Sequence, residues 1–116
     1  MDRILRLTLL YDYYGELLTE HQKEIFTLYH LHDLSMQEIG DELHTSRQSV
    51  NDLLKRTEKL LEDYEDKLSL LSQAEKRRAN IQEIMAIMDR LADDQTVPEE
   101  QLLAIRTQLL AIDELS

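Results

Sequence analysis

Residues that interrupt a helix occupy three positions in this chain: Gly15, Gly40 and Pro98. Sheets need frequent reversals, and tight turns draw on glycine and proline. A chain of 116 residues so poor in both, and rich in Leu, Glu, Lys, Gln and Ala, is built for long helices joined by short links. The expected class is all-α. The length suits one domain, or a compact head with a helical appendage. Cysteine is absent, which excludes a disulfide framework and a thiolate metal site. The longest apolar run, Ile84 to Met88, falls far short of the roughly 20 residues that a membrane span needs. Near the N-terminus Asp12 and Glu16 come early and no small-residue cleavage site precedes them, so a cytoplasmic protein is expected.

Apolar spacing divides the chain further. Ile4, Leu7, Leu10, Tyr11, Tyr14, Leu17 and Leu18 recur at steps of three and four, predicting a first helix over about 3–18. Thr19 with Gln22, and Ser35 with Glu38, have the spacing of capping boxes, in which a hydroxyl accepts an amide and the longer side chain reaches back. They predict one helix carrying Ile25, Phe26, Leu28 and Tyr29 inward, and a short one through Ile39 and Leu43. Thr45 and Ser46 are both N-cap candidates for a long fourth helix, whose stripe runs from Val50 through Leu54, Leu61 and Leu68 to Leu71. A break is expected at Ser72-Gln73, although the fourth and fifth helices could also be continuous. Ile81, Ile84, Met85, Ile87, Met88 and Leu91 predict the fifth. Thr96, Pro98 and Glu99 mark the start of a last helix bearing Leu102, Leu103, Ile105, Leu109, Leu110 and Ile112. The expected organisation is a helix-turn-helix head over 1–65 and a helical tail over 66–116 that joins two copies.

Residues Ser35 to Val50 have the spacing of a helix-turn-helix. Ile39, Leu43, Val50 and Leu53 would wedge the two helices together, and Gly40 stands where a small side chain lets their backbones approach. Ser46 would cap the second helix and leave Arg47, Gln48, Asn51, Asp52 and Lys55 facing outward. Arg, Gln and Asn can read base edges, while Arg and Lys hold phosphates. The predicted DNA-binding residues are therefore Ser46, Arg47, Gln48, Asn51 and Lys55, with Arg56 and Lys59 near phosphates. The overall charge of −11 opposes contact with a polyanion; of the segments 1–44, 45–60 and 61–116, only 45–60 is net positive, at +2. Any DNA binding is expected to be modest and salt-sensitive. The same shape also serves a helical bundle that packs without touching DNA.

The segments Leu18–Tyr29, Leu34–Gly40 and Thr45–Val50 are similar to sigma-70 region 4. Leu10–Thr19, Ser46–Asp52 and Lys55–Glu58 resemble the YlxM family of small Firmicute proteins, the likeness spanning about 3–71. That resemblance implies a DNA-binding regulatory protein associated with the signal recognition particle pathway, because the gene lies beside that of the particle's GTPase. His44 stands where many sigma-type turns place glycine. Histidine tolerates the left-handed conformation better than most residues.

Other chemistry finds little support. His30 and His32 fall on different faces, and His21 and His44 are isolated, so no metal site is expected. No nucleophile triad or glycine-rich phosphate loop can be assembled, so neither an enzyme nor a cofactor is expected. Tyr11, Tyr13 and Tyr14 read as core and rim aromatics. The long leucine rows would be a liability in water unless covered, which predicts a homodimer. A second reading is an acidic adaptor that docks on the signal recognition particle's protein or on its receptor.

Overall fold

The computed structural model describes residues 1–93 and 98–115. Six α-helices follow one another among them: α1 (Arg3–Tyr14), α2 (Glu20–His30), α3 (Met36–Leu43), α4 (Arg47–Leu68), α5 (Leu70–Ala92) and α6 (Glu99–Leu115), with a 3-10 turn at Gly15–Leu17 after α1. No strand occurs among the described residues. The chain divides into two compact units, Met1–Leu71 and Ser72–Ser116. The proposed cap at Thr96 lies outside the described residues.

In the first unit α1, α2 and α3 all pack on α4, whose apolar stripe serves two adjoining clusters. Leu7, Leu10 and Tyr14 of α1 close over Leu18, Phe26, Leu61 and Leu71. Ile25, Ile39, Val50 and Leu54 form the second cluster, with Leu43 and Leu53 at its margin. Each fully buried aliphatic or aromatic side chain contributes about 1.5–3 kcal/mol of transfer free energy, so the two clusters supply the main drive for the head to fold. The hydroxyl of Thr57, wholly buried in the stripe, is satisfied by donating to the Leu53 carbonyl at 2.8 Å.

The predicted caps form. Thr19 and Ser35 each accept the amide three residues on, and Gln22 and Glu38 accept the reciprocal backbone N–H. Ser46, rather than Thr45, caps α4, its Oγ accepting from Ser49 N at 3.1 Å. His44 takes the left-handed conformation with φ 57°. The carbonyl of Gly40 then accepts from both His44 N and Thr45 N, the latter at 2.9 Å.

Two expectations need correction. The first helix ends at Tyr14, not near residue 18, because the chain tightens into the 3-10 turn and leaves it extended at Leu18. That change of direction buries Leu18 but leaves Leu17 exposed, and Ile4 at the other end of α1 is exposed as well. The break after α4 falls at Ser69, earlier than Ser72-Gln73. Ser69 is left-handed, and the next two amides are taken by side chains: Leu70 N donates to Tyr14 Oη, 56 positions away, and Leu71 N to Glu65 Oε1, each at 3.0 Å. Tyr14 Oη in turn donates to the same Glu65 oxygen at 2.7 Å. Burial first, and that hydrogen bond second, hold the Tyr14 hydroxyl above its ordinary pKa. Leu68, at the end of α4, is exposed, while Leu71 beyond the break is buried in the core.

In the second unit Ile87 is buried, whereas Ile81, Met85, Met88 and Leu91 of α5 and Leu102, Leu103, Leu109 and Leu110 of α6 are exposed. Gln108 Nε2 of α6 donates to Glu83 of α5.

Gly40 sets the separation of α3 from the start of α4, since a Cβ there would lie 2.8 Å from the Thr45 carbonyl oxygen. Replacing Gly40 by Ala adds roughly 1 kcal/mol of helix propensity but sets a methyl against backbone, which costs about 1–3 kcal/mol. Gly40→Ala should therefore lower the stability read by urea unfolding. His44→Gly should raise it by about 1 kcal/mol, because it relieves the left-handed conformation.

Candidate nucleic-acid interface

The face that α4 turns outward is fixed by the residues it turns inward. Val50, Leu54, Thr57 and Leu61 are buried, so at 3.6 residues per turn the opposite face falls on Gln48, Asp52, Lys55, Arg56 and Lys59. Ser46, Arg47, Gln48, Lys55, Arg56 and Lys59 are exposed, and Asn51 is half-buried at the side of the helix. Arg47, Gln48 and Asn51 line one shallow depression with Met36 of α3. The residues predicted from sequence are thus spread around the outward side of α4: Lys55 and Lys59 border the cleft with Arg3, while Arg56 lies on the other flank beside Leu43, Ser49 and Leu53.

Their electrostatic states differ. Arg47, Asn51 and Lys55 make no side-chain hydrogen bond or ion pair among the described residues. Gln48 Nε2 donates to Asp52 Oδ1 at 2.9 Å, and Arg56 Nε reaches the Asp52 carbonyl at 3.4 Å. Lys59 pairs with Asp63 at 3.1 Å, a surface contact of small stabilising value. Ser46 is occupied as the cap and also donates its hydroxyl proton to Ser49 Oγ at 2.9 Å.

Behind this face lies a polar buttress that the sequence reading did not anticipate. Glu58, almost fully buried on α4, accepts from Arg3 Nη2 at 2.7 Å and from His30 Nε2 at 3.0 Å. An ionised carboxylate only accepts, so Nε2 must carry the proton. Burial opposes ionisation of Glu58, but the hydrogen bonds from His30 and Arg3 outweigh it and hold the carboxyl below its ordinary range. One turn on, Glu62 accepts from Arg6 Nε and Nη2, both at 2.8 Å, which lowers its pKa against a smaller opposing effect of desolvation. These pairs join α1 and α2 to α4. They also neutralise two carboxylates flanking the basic edge, and bring Arg3 beside Lys55 and Lys59 around a small cleft. A signal was present in the sequence: Arg3 and Arg6 stand one turn apart on α1, as Glu58 and Glu62 do on α4. The spacing alone does not say which helix faces which.

Among the described residues no group of three or more His, Cys, Asp or Glu side chains could hold a metal ion, and no helix is long and apolar enough to cross a membrane. His30 is spent on Glu58 and packs against Phe26, with ring centroids 4.5 Å apart.

A short helix, a three-residue turn closed on a small residue, and a second helix with an exposed polar and basic edge define a helix-turn-helix protein. Comparison with known proteins agrees. Residues 1–103 match the family model UPF0122, described as "Putative helix-turn-helix protein, YlxM / p13 like", and the chain belongs to that family. A UPF0122 protein of Halalkalibacterium halodurans is 43% identical over 109 residues, covering 94% of this chain and 95% of that one. One from Shouchella clausii is 45% identical over 97 residues, 84% of this chain and 86% of its own length. One from Caldanaerobacter subterraneus is 49% identical over 83 residues, 72% and 71% of the two chains.

Because Glu58 and Glu62 titrate below the ordinary carboxyl value of 4.5, they stabilise the fold fully above that pH. The contribution is lost as pH falls through their lowered folded-state values. Thermal unfolding should therefore shift to lower temperature on acidification below about pH 4.5. Glu58→Gln should lower stability by about 2 kcal/mol at neutral pH and flatten that acid dependence.

Proposed function

We propose that the first unit is a duplex-DNA-binding regulatory module that uses α3 and α4 as sigma-70 region 4 does. Ser46, Arg47, Gln48, Asn51 and Lys55 face the major groove, and Arg56 and Lys59 lie near phosphates. The observation that carries the reading is the outward edge of α4: Arg47 and Lys55 are exposed, without intramolecular partners among the described residues, on the second helix of the motif. The resemblance to YlxM proteins extends the proposal to a role in the signal recognition particle pathway in the cytoplasm.

In this reading residues 66–116 join two copies, because helix-turn-helix proteins meet paired half-sites as dimers. The exposed Met85, Met88, Leu103 and Leu110 give such a seam its apolar surface.

A second reading, an adaptor without DNA contact, draws on the charge of −11, which suits a basic protein partner such as the particle's protein or its receptor. One pair of titrations separates the two. The full chain, at a mass twice 13.7 kDa by light scattering, should bind duplex DNA from its own genomic neighbourhood. Affinity should fall steeply as salt rises, and replacing Arg47 and Lys55 by Ala should reduce it at least tenfold and lessen the salt slope. Unchanged binding by the double variant would overturn these residues as readers. Binding to the signal recognition particle protein with none to DNA would favour the adaptor, and a monomeric mass would remove the dimer.

A further inference from the structure

The recognition edge contains a residue that a simple phosphate-binding surface would not carry. Asp52 is exposed in the middle of the stripe, between Gln48 and Lys55, and is the one acidic side chain from Ser46 to Thr57. Its carboxylate is steadied from one side: Oδ1 accepts from Gln48 Nε2 at 2.9 Å, while Oδ2 has no intramolecular partner among the described residues. Among the described residues no cation neutralises it. Arg56, one turn on, bonds the Asp52 backbone carbonyl rather than the carboxylate, and Lys59 is paired with Asp63.

The fold does not need this carboxylate. A Gln–Asp pair four residues apart on an exposed helix face stabilises by only a few tenths of a kcal/mol. Against DNA the charge repels every phosphate and weakens binding to all sequences alike. Its one favourable contact in a major groove is with a hydrogen-bond donor on a base edge. A carboxylate can only accept, and the groove offers two such donors, N4 of cytosine and N6 of adenine. Adenine sets the acceptor N7 beside its amino group, guanine presents O6 and N7, and thymine presents O4, each of which repels a carboxylate. Cytosine remains.

We infer that Asp52 is a specificity-determining residue of α4, accepting a hydrogen bond from cytosine N4 and rejecting other bases at that position. The inference rests on the DNA-binding reading above and deepens it. Arg47 and Lys55 supply attraction that is blind to sequence, and Asp52 converts part of that attraction into choice.

The test is selection from a randomised duplex pool by the full-length wild-type protein, Asp52→Ala and Asp52→Asn, with circular dichroism to verify that each variant keeps its helices. Wild type should enrich sites with cytosine preferred about tenfold at one position. Asp52→Ala should lose that preference and bind random duplex about threefold more tightly at low salt, with the gain vanishing at high salt. Asp52→Asn should change the preferred base at the same position to adenine, since an amide can pair with both N6 and N7. If wild type enriches a site and both variants enrich it unchanged, the role of Asp52 is overturned and the DNA reading stands. If wild type enriches nothing, the DNA reading falls and takes this inference with it.

Discussion

The head depends on one helix being shared by everything else. α4 gives its apolar stripe to two clusters at once, so α1, α2 and α3 are held against each other through it. Apolar burial alone would let such a bundle slide, because leucine rows accept several registers at similar energy. The carboxylates at the stripe's margin remove that freedom. Glu58 needs Arg3 and His30, Glu62 needs Arg6, and Glu65 needs the hydroxyl of Tyr14 and an amide of α5. A buried carboxylate such as Glu58 or Glu65 that misses its partners is costly, so a shifted register is penalised more than the correct one is rewarded.

The same arrangement shapes the outward surface. With Arg3, Arg6 and His30 drawn onto Glu58 and Glu62, the acidity of α4's middle turns is compensated from behind, and Lys55 stands beside Arg3. A chain of net charge −11 thereby keeps a local edge that is polar and basic. Asp52 interrupts that edge from the front. Acidic Asp52 and basic Lys55 and Arg56 thus lie within one turn of each other on the exposed side of α4.

The two units use apolar side chains differently. The first buries them around α4. The second leaves Met85 and Met88 on α5, and Leu102, Leu103, Leu109 and Leu110 on α6, open to solvent. Methionine and leucine side chains are flexible and adaptable at a surface.

Local features were legible in the residues themselves. The scarcity of Gly and Pro set the helical class, Thr19, Ser35 and Ser46 marked where helices begin, and Gly40 with His44 marked the turn. Caps and close approaches depend on neighbours within a few positions, so a pattern in the chain is enough to find them. The outward face of α4 was legible too, because the helical period places it opposite Val50, Leu54 and Leu61. The partners of Glu58, Glu62 and Glu65 and the end of α4 at Ser69 were decided by tertiary structure. Apart from the Leu71 amide on Glu65, each depends on groups about 30 to 56 positions apart meeting through space. Spacing along a chain orders side chains on their own helix, but only packing decides which helix they will meet.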